Sequence, residues 1–148
     1  MIAVDTNLLV YSHREDSPFH RLARQLIDSL RHDRKNWAVP LQCVHEFIGI
    51  VTHPRIYRNP RRLVDAFATV EIWGAGNNLQ LLSETHAYLP KLREVALTGG
   101  RGGPQIHDAR VAAVCLHHGV QELWSADRDF SFFPQLKTRN PLVSHGAS

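Results

Sequence analysis

The feature that most restricts the fold is a set of very short apolar runs set between helical patterns. The first is IAVD at residues 2–5, which closes on Asp5. A run this brief has no room to alternate, so it reads as a strand buried on both faces. WAVP at 37–40 repeats the device, and VQELW leads into the acidic SADRDF in the same way. Ser17-Pro18 reads as the cap and first turn of a helix. Phe19, Leu22, Ala23, Leu26, Ile27 and Leu30 follow on one face, and Arg21, Arg24, Gln25 and Asp28 on the other. Pro40 opens another helix, with Leu41, Val44, Phe47, Ile48 and Val51 as its apolar stripe. A further helix is expected near 61–69, while TVEIW and LQLLS are both open to a strand reading. Glu84 to Leu97 has a helical pattern in which Pro90 either kinks the helix or starts a new turn. TGGRGGPQ at 98–105 is a loop by composition. His107 to His118 is a helix closed by Gly119, and NPLV reads as a last short strand. Buried strands separated by helices imply an α/β fold of three layers, a short and mostly parallel central sheet flanked by helices on both faces.

The chain has 148 residues, 43% of them hydrophobic, which suits a single domain over 1–148 with one core. No apolar run approaches the roughly twenty residues of a membrane helix, and no signal-peptide pattern opens the chain. Cys43 and Cys115 lie in apolar helical patterns, as buried thiols of a reducing cytoplasm would. No CxxC or HxxxH spacing accompanies them, which argues against a zinc site. A net charge of +3, with ten histidines uncounted, permits a polyanionic partner without requiring one.

Of the 14 acidic residues, five stand apart: Asp5, Glu46, Asp108, Asp127 and Asp129. Asp5 follows the first strand, and Asp127 and Asp129 follow a late one. Asp108 lies in the first turn of a helix after a glycine-rich loop. Glu46 projects opposite the apolar stripe of its helix at about 100° per residue. Ligands of open parallel sheets bind at the strands' carboxyl ends, so these segments can deliver carboxylates to one crevice. Taken singly, each acid has a plainer explanation. Asp5 could cap a turn, Asp108 could complement a helix dipole, Asp127 and Asp129 could shape an Asx turn, and Glu46 could be a solvated helix residue. Together they change the reading. Clustered carboxylates repel one another unless a cation neutralises them. An all-oxygen set without well-spaced Cys or His favours Mg²⁺ or Mn²⁺. Such ions activate water and stabilise charge on a phosphodiester. Thr6, Asn7 and Ser125 are placed to hydrogen-bond the ligands or a ligated water.

VDTNLLVY, HEF, IHDARVAA and the closing SADRDFSFFPQL…NPLV resemble, in this order and over essentially the whole chain, PIN-domain ribonucleases. More narrowly they resemble the VapC toxins of bacterial toxin–antitoxin pairs. The two ends are the most specific parts. The resemblance implies a PIN fold in which Asp5, Glu46, Asp108 and Asp127 bind metal, Asp129 assists, and Thr6 and Ser125 support them. Ser125 stands where many relatives have Thr, which preserves the hydroxyl. Pro90 and the GGRGG loop are particular to this chain. The resemblance further implies Mg²⁺- or Mn²⁺-dependent endonucleolytic hydrolysis of RNA, a homodimer, and a cognate antitoxin whose tail lies across the acidic groove.

THPRIYRNPRR carries Arg55, Arg58, Arg61 and Arg62 interleaved with His53 and Tyr57, a composition suited to phosphates and unpaired bases. The competing reading is a solvated loop and a basic helix start. Arg101 in the glycine loop is a second RNA-binding candidate, and Arg128 lies within the acidic motif. Two rival functions were weighed. A catalytically silent PIN-like domain that binds RNA or protein would typically have lost an acid, and none is lost. A phosphatase using Asp5 as nucleophile would want DxD, but position seven is Asn7.

Overall fold

The computed structural model describes residues 1–143. Five strands, β1 (Ile2–Val4), β2 (Trp37–Pro40), β3 (Leu79–Leu82), β4 (Glu122–Trp124) and β5 (Thr138–Arg139), form one parallel sheet in the order β3-β2-β1-β4-β5. Six α-helices accompany them: α1 (Thr6–His13), α2 (His20–His32), α3 (Leu41–Val51), α4 (Leu63–Trp73), α5 (Leu89–Gly99) and α6 (Ile106–His117). Helices α1 to α4 pack on one another in a chain, and α5 packs on α6. The three-layer α/β arrangement expected from the short strands is the one observed.

β1 is the central strand, with Ala3 opposite Ala38 of β2 and Leu123 of β4. Ala3, Val4, Ala38, Val39 and Leu123 are wholly buried, as strands covered on both faces require. Trp37, Phe47, Leu8 and Leu9 complete that core from the neighbouring elements. Each such side chain contributes about 1.5–3 kcal/mol by leaving water. The strand order reverses at β1, so the crevice lies at the carboxyl ends of β1 and β4. The N–H of Asp5 donates to the carbonyl of Trp124 at 2.9 Å, which sets Asp5 and Ser125 side by side there.

Four local expectations needed revision or resolution. TVEIW is the last part of α4, not a strand. Its β-branched residues favour a strand locally, but Ala66 and Trp73 are buried and Trp73 packs on Phe47 with ring centroids 4.7 Å apart. Tertiary packing overrides the propensity. Ser17 does not cap α2, which starts at His20; its hydroxyl donates to the carbonyl of Arg14 at 2.6 Å and closes the turn after α1. NPLV is not a strand. β5 ends at Arg139, Pro141 has no N–H for a ladder, and the Asn140 side chain accepts the N–H of Leu142 at 3.0 Å. Pro90 sits in the first turn of α5 and starts it rather than kinking it.

Candidate active site

Asp5 occupies both positions that its sequence context suggested. It is the residue after β1 and the N-cap position of α1, yet its side chain makes no capping bond. It is 7% exposed, and its two carboxylate oxygens turn to other donors. Ser125 Oγ donates to Oδ2 at 2.7 Å and the Cys43 thiol donates to Oδ1 at 3.4 Å. Ser125 also accepts the N–H of Asp127 at 3.0 Å, so one hydroxyl links the ends of β1 and β4. Burial pushes the Asp5 carboxyl above its ordinary range and the charge of Glu46 adds to the rise, while the bonds from Ser125, the Thr6 backbone and Cys43 oppose it. Burial and the Asp5 charge push the Cys43 thiol well up, which keeps it a donor.

Glu46 lies on the exposed side of α3, as its angle to the apolar stripe requires. It is nonetheless held. Thr6 Oγ1 donates to Oε2 at 2.7 Å and Gln42 Nε2 donates to Oε1 at 2.9 Å. Gln42 Nε2 also lies 3.3 Å from the carbonyl of His107, the residue before Asp108. One amide thereby ties α3 to the start of α6.

Asp108, Asp127 and Asp129 each offer a carboxylate oxygen, and these three atoms lie within 4.8 Å of one another. The Asp108 carboxyl is pushed up to about 6, first by burial and then by the charges of Asp127, Asp129, Asp5 and Glu46. All five acids therefore act on a single neighbourhood. The Asx turn anticipated as the plainer reading of SADRDF is also real, since Asp127 Oδ1 accepts the N–H of Asp129 at 2.8 Å. That bond shapes the 3-10 helix over Arg128–Phe132 that presents Asp129. The tight trio includes Asp129, whereas Asp5 and Glu46 join through charge and hydrogen-bonded neighbours. A donor set made wholly of carboxylate oxygens fits a hard divalent cation.

Of the supporting residues, Thr6 and Ser125 engage the acids. Asn7 is half-buried, and no side-chain hydrogen bond of it occurs among the described residues. Gln42 and Cys43 were missed by the sequence reading. Gln42 was findable, because it precedes Glu46 by one helical turn. Cys43 carries no local signal, since its partner is 38 residues away.

The basic segment divides. Arg55, Arg58 and Arg62 are exposed. Arg61 Nε donates to His13 Nε2 at 3.2 Å, and the Arg14 guanidinium covers the Tyr57 ring at 3.9 Å. Arg61 thus sits at the far end of α1, about 12 Å of helix away from Asp5. Arg101 has its guanidinium 4.1 Å from the centroid of Phe132, in the 3-10 helix that follows Asp127.

No helix among the described residues is long and apolar enough to cross a membrane. The structure resembles VapC20 of Mycobacterium tuberculosis, a sarcin-ricin loop cleaving toxin, with a TM-score of 0.67 at 19% identity over 88% of this chain and 93% of that one. It also resembles VapBC2 from Rickettsia felis, bound to a DNA fragment from its promoter, with a TM-score of 0.64 at 14% identity over 94% and 98% of the two chains. In sequence it is 33% identical to ribonuclease VapC43 of M. tuberculosis over 142 residues, 96% of each chain. Ribonuclease VapC25 of the same organism is 31% identical over 97% of this chain and 100% of its own. The PIN-domain profile matches residues 2–134. With a profile spanning most of the chain and full-length VapC relatives, this chain belongs to the PIN-domain family, in its VapC group.

Proposed function

We propose that the chain is an endoribonuclease that hydrolyses RNA phosphodiester bonds with Mg²⁺ or Mn²⁺, and that it acts in the cytoplasm as the toxin of a toxin–antitoxin pair. The observation that carries this reading is the meeting of the Asp108, Asp127 and Asp129 carboxylate oxygens within 4.8 Å of one another, with the Asp108 carboxyl raised first by burial and then by the charges of the other four acids. Four separate segments concentrate negative charge there, and none of the five acids belongs to an ion pair among the described residues. The ribonuclease names of the full-length relatives support the same chemistry.

In this reading Asp5, Glu46, Asp108 and Asp127 hold the cation, and Asp129 holds the cation or its water. Bound there, a divalent ion activates water and neutralises charge on the phosphate. The remaining work belongs to the side chains. Ser125 and Cys43 fix both oxygens of Asp5, and Thr6 and Gln42 fix both oxygens of Glu46. Ligands oriented in advance lose less freedom when the ion arrives. The exposed arginines of the 55–62 segment supply long-range attraction for the RNA backbone. The chain is read as one domain that assembles as a homodimer and is silenced by an antitoxin contributing a basic group to the acids. The VapBC2 complex of R. felis supports such a partner. The silent-domain alternative has no observation in its favour, because every acid remains and they converge.

The test is incubation of the purified, partner-free chain with a broad RNA pool under Mg²⁺, Mn²⁺ or chelator, beside Asp5→Ala. The expected result is cleavage that needs both the ion and Asp5. Cleavage that persists in chelator and in the variant would overturn the mechanism.

A further inference from the structure

Gly99 is the last residue of α5, and a Cβ there would lie 2.7 Å from the ring of Phe133 and 3.3 Å from the carbonyl oxygen of Phe132. The missing side chain lets α5 end hard against the 3-10 helix that carries Asp129. Gly100 then adopts the left-handed conformation at φ 66° and turns the chain. Arg101 arrives directly over the Phe132 ring. Phe130 and Phe133 are each 2% exposed and anchor the 3-10 helix, which leaves Phe132 at the surface, 39% exposed. Side chains three apart in a 3-10 helix eclipse, so Asp129 and Phe132 share one edge, about 6 Å apart along the axis. Asp129 is one of the three acids whose oxygens cluster.

Arg14, which lies over an aromatic ring just after α1, differs from Arg101 in its charge partner. Arg14 over Tyr57 is buried and ion-paired with Asp16, so its charge is spent within the fold. Arg101 is exposed and belongs to no ion pair among the described residues. A planar cation, backed by a ring of the helix that carries Asp129, offers a π-face and a positive charge at once. Bare apolar surface would serve a protein partner; this combination suits a ligand that is both aromatic and anionic.

The geometry points to a base-stacking platform, in which the outer face of the Arg101 guanidinium, backed by Phe132, receives an unpaired nucleobase of the RNA strand near the phosphate cut at the acids. This rests on the ribonuclease reading. It assigns Arg101 a role in holding the substrate through its plane as well as its charge, and Phe132 a role in positioning Arg101.

The experiment uses two fluorescent single strands of about 12 nucleotides, one of mixed sequence and one with abasic sugars throughout its centre. Binding is measured with Mg²⁺ to the full chain carrying Asp108→Asn, so that the probe is not consumed. Adding Arg101→Lys, which keeps the charge and loses the plane, should weaken binding of the normal strand roughly 5- to 30-fold and leave the abasic strand unchanged. Phe132→Leu should behave likewise and Phe132→Trp should retain affinity, with thermal melts showing each variant folded. Equal binding by the Arg101→Lys protein, or equal losses on both strands, would overturn the platform. Wild-type cleavage is assayed alongside on the normal strand. Cleavage with unchanged Arg101→Lys binding rejects the platform alone, whereas a wild type that neither binds nor cuts RNA rejects the ribonuclease reading and the platform with it.

Discussion

At the C-terminal end of α1, Arg14 is 4% exposed and its guanidinium is fully engaged. It makes two bonds to Asp16, at 2.9 and 2.6 Å, donates to the carbonyl of Asn59 at 2.8 Å, and lies over the Tyr57 ring. His13 beside it is pushed down to about 4 by burial and then by Arg61 and Arg14, so it stays neutral. At the N-terminal end of the same helix, Asp5 is equally buried, but its nearest charges have its own sign. Two ends of one helix thus treat buried charge in opposite ways. One pairs or neutralises it, as a structural site must, because an unmatched ion costs several kcal/mol indoors. The other gathers like charges and accepts raised pKa values, which serves the fold only if a cation completes the set.

The contrast can be broken at either end. The largest effect is expected from Asp108→Ala, which removes the acid that all the others act upon. RNA cleavage should fall on the order of 1,000-fold or more, the equivalent of several kcal/mol of lost charge stabilisation, while the thermal melt of the metal-free protein holds or rises. A variant that cuts RNA normally would empty the acidic end of its meaning.

Next comes Gln42→Leu, which frees Glu46 and unties α3 from α6. Mn²⁺ affinity should drop roughly 10- to 100-fold with the fold intact, as calorimetry would show. Unaltered affinity would reduce Gln42 to a packing residue.

At the other end, Asp16→Asn leaves the Arg14 guanidinium buried without its counter-charge. The expected loss is about 1–3 kcal/mol of stability, read by denaturant unfolding, with cleavage by the folded fraction unchanged. A variant that loses activity while remaining folded would show that the two ends are not separate.

The smallest effect is in pH. Folding raises the Asp108 pKa to about 6 from an ordinary 3.8. Between those values the metal-free native protein holds a proton that the unfolded chain has released, so this group destabilises the fold as pH climbs through the window. His13 acts oppositely, because its lowered pKa costs stability as pH falls from 6.5 toward 4. Asp108→Asn should therefore raise the metal-free melting temperature at pH 7 by a few degrees, and the gain should shrink toward pH 4. A gain that is flat with pH would exclude Asp108 as its source.

The sequence made the layers and the acids legible for one reason. Strands as short as IAVD and WAVP can only be buried, and a carboxylate closing the first of them becomes conspicuous. Periodicity misplaced what tertiary contacts decide. TVEIW is helical because Trp73 has Phe47 to pack on, and the last strand precedes NPLV because Pro141 cannot join a ladder. The candidate site showed the same limit. Asp5, Asp108, Asp127 and Asp129 could be named from their positions after strands and at a helix start, and Glu46 from its place opposite the apolar stripe of its helix. Cys43 could not, since its reach to Asp5 exists only once β1 and α3 are packed. Composition favoured the segment from His53 to Arg62 over the glycine loop as the RNA-binding surface. Packing separates them differently, holding Arg61 at the remote end of α1 and seating Arg101 on Phe132 of the 3-10 helix that carries Asp129.

The central claim is that like charges from distant segments are assembled to hold one kind of ion. Calorimetric titration of the partner-free chain with Mn²⁺ tests it most directly, with Asp108→Asn as the comparison. The account predicts saturable binding by the wild type, proton release near pH 6 as the Asp108 carboxyl ionises, and loss of both signals in the variant. Equal Mn²⁺ binding by the two proteins, or none by either, would contradict it.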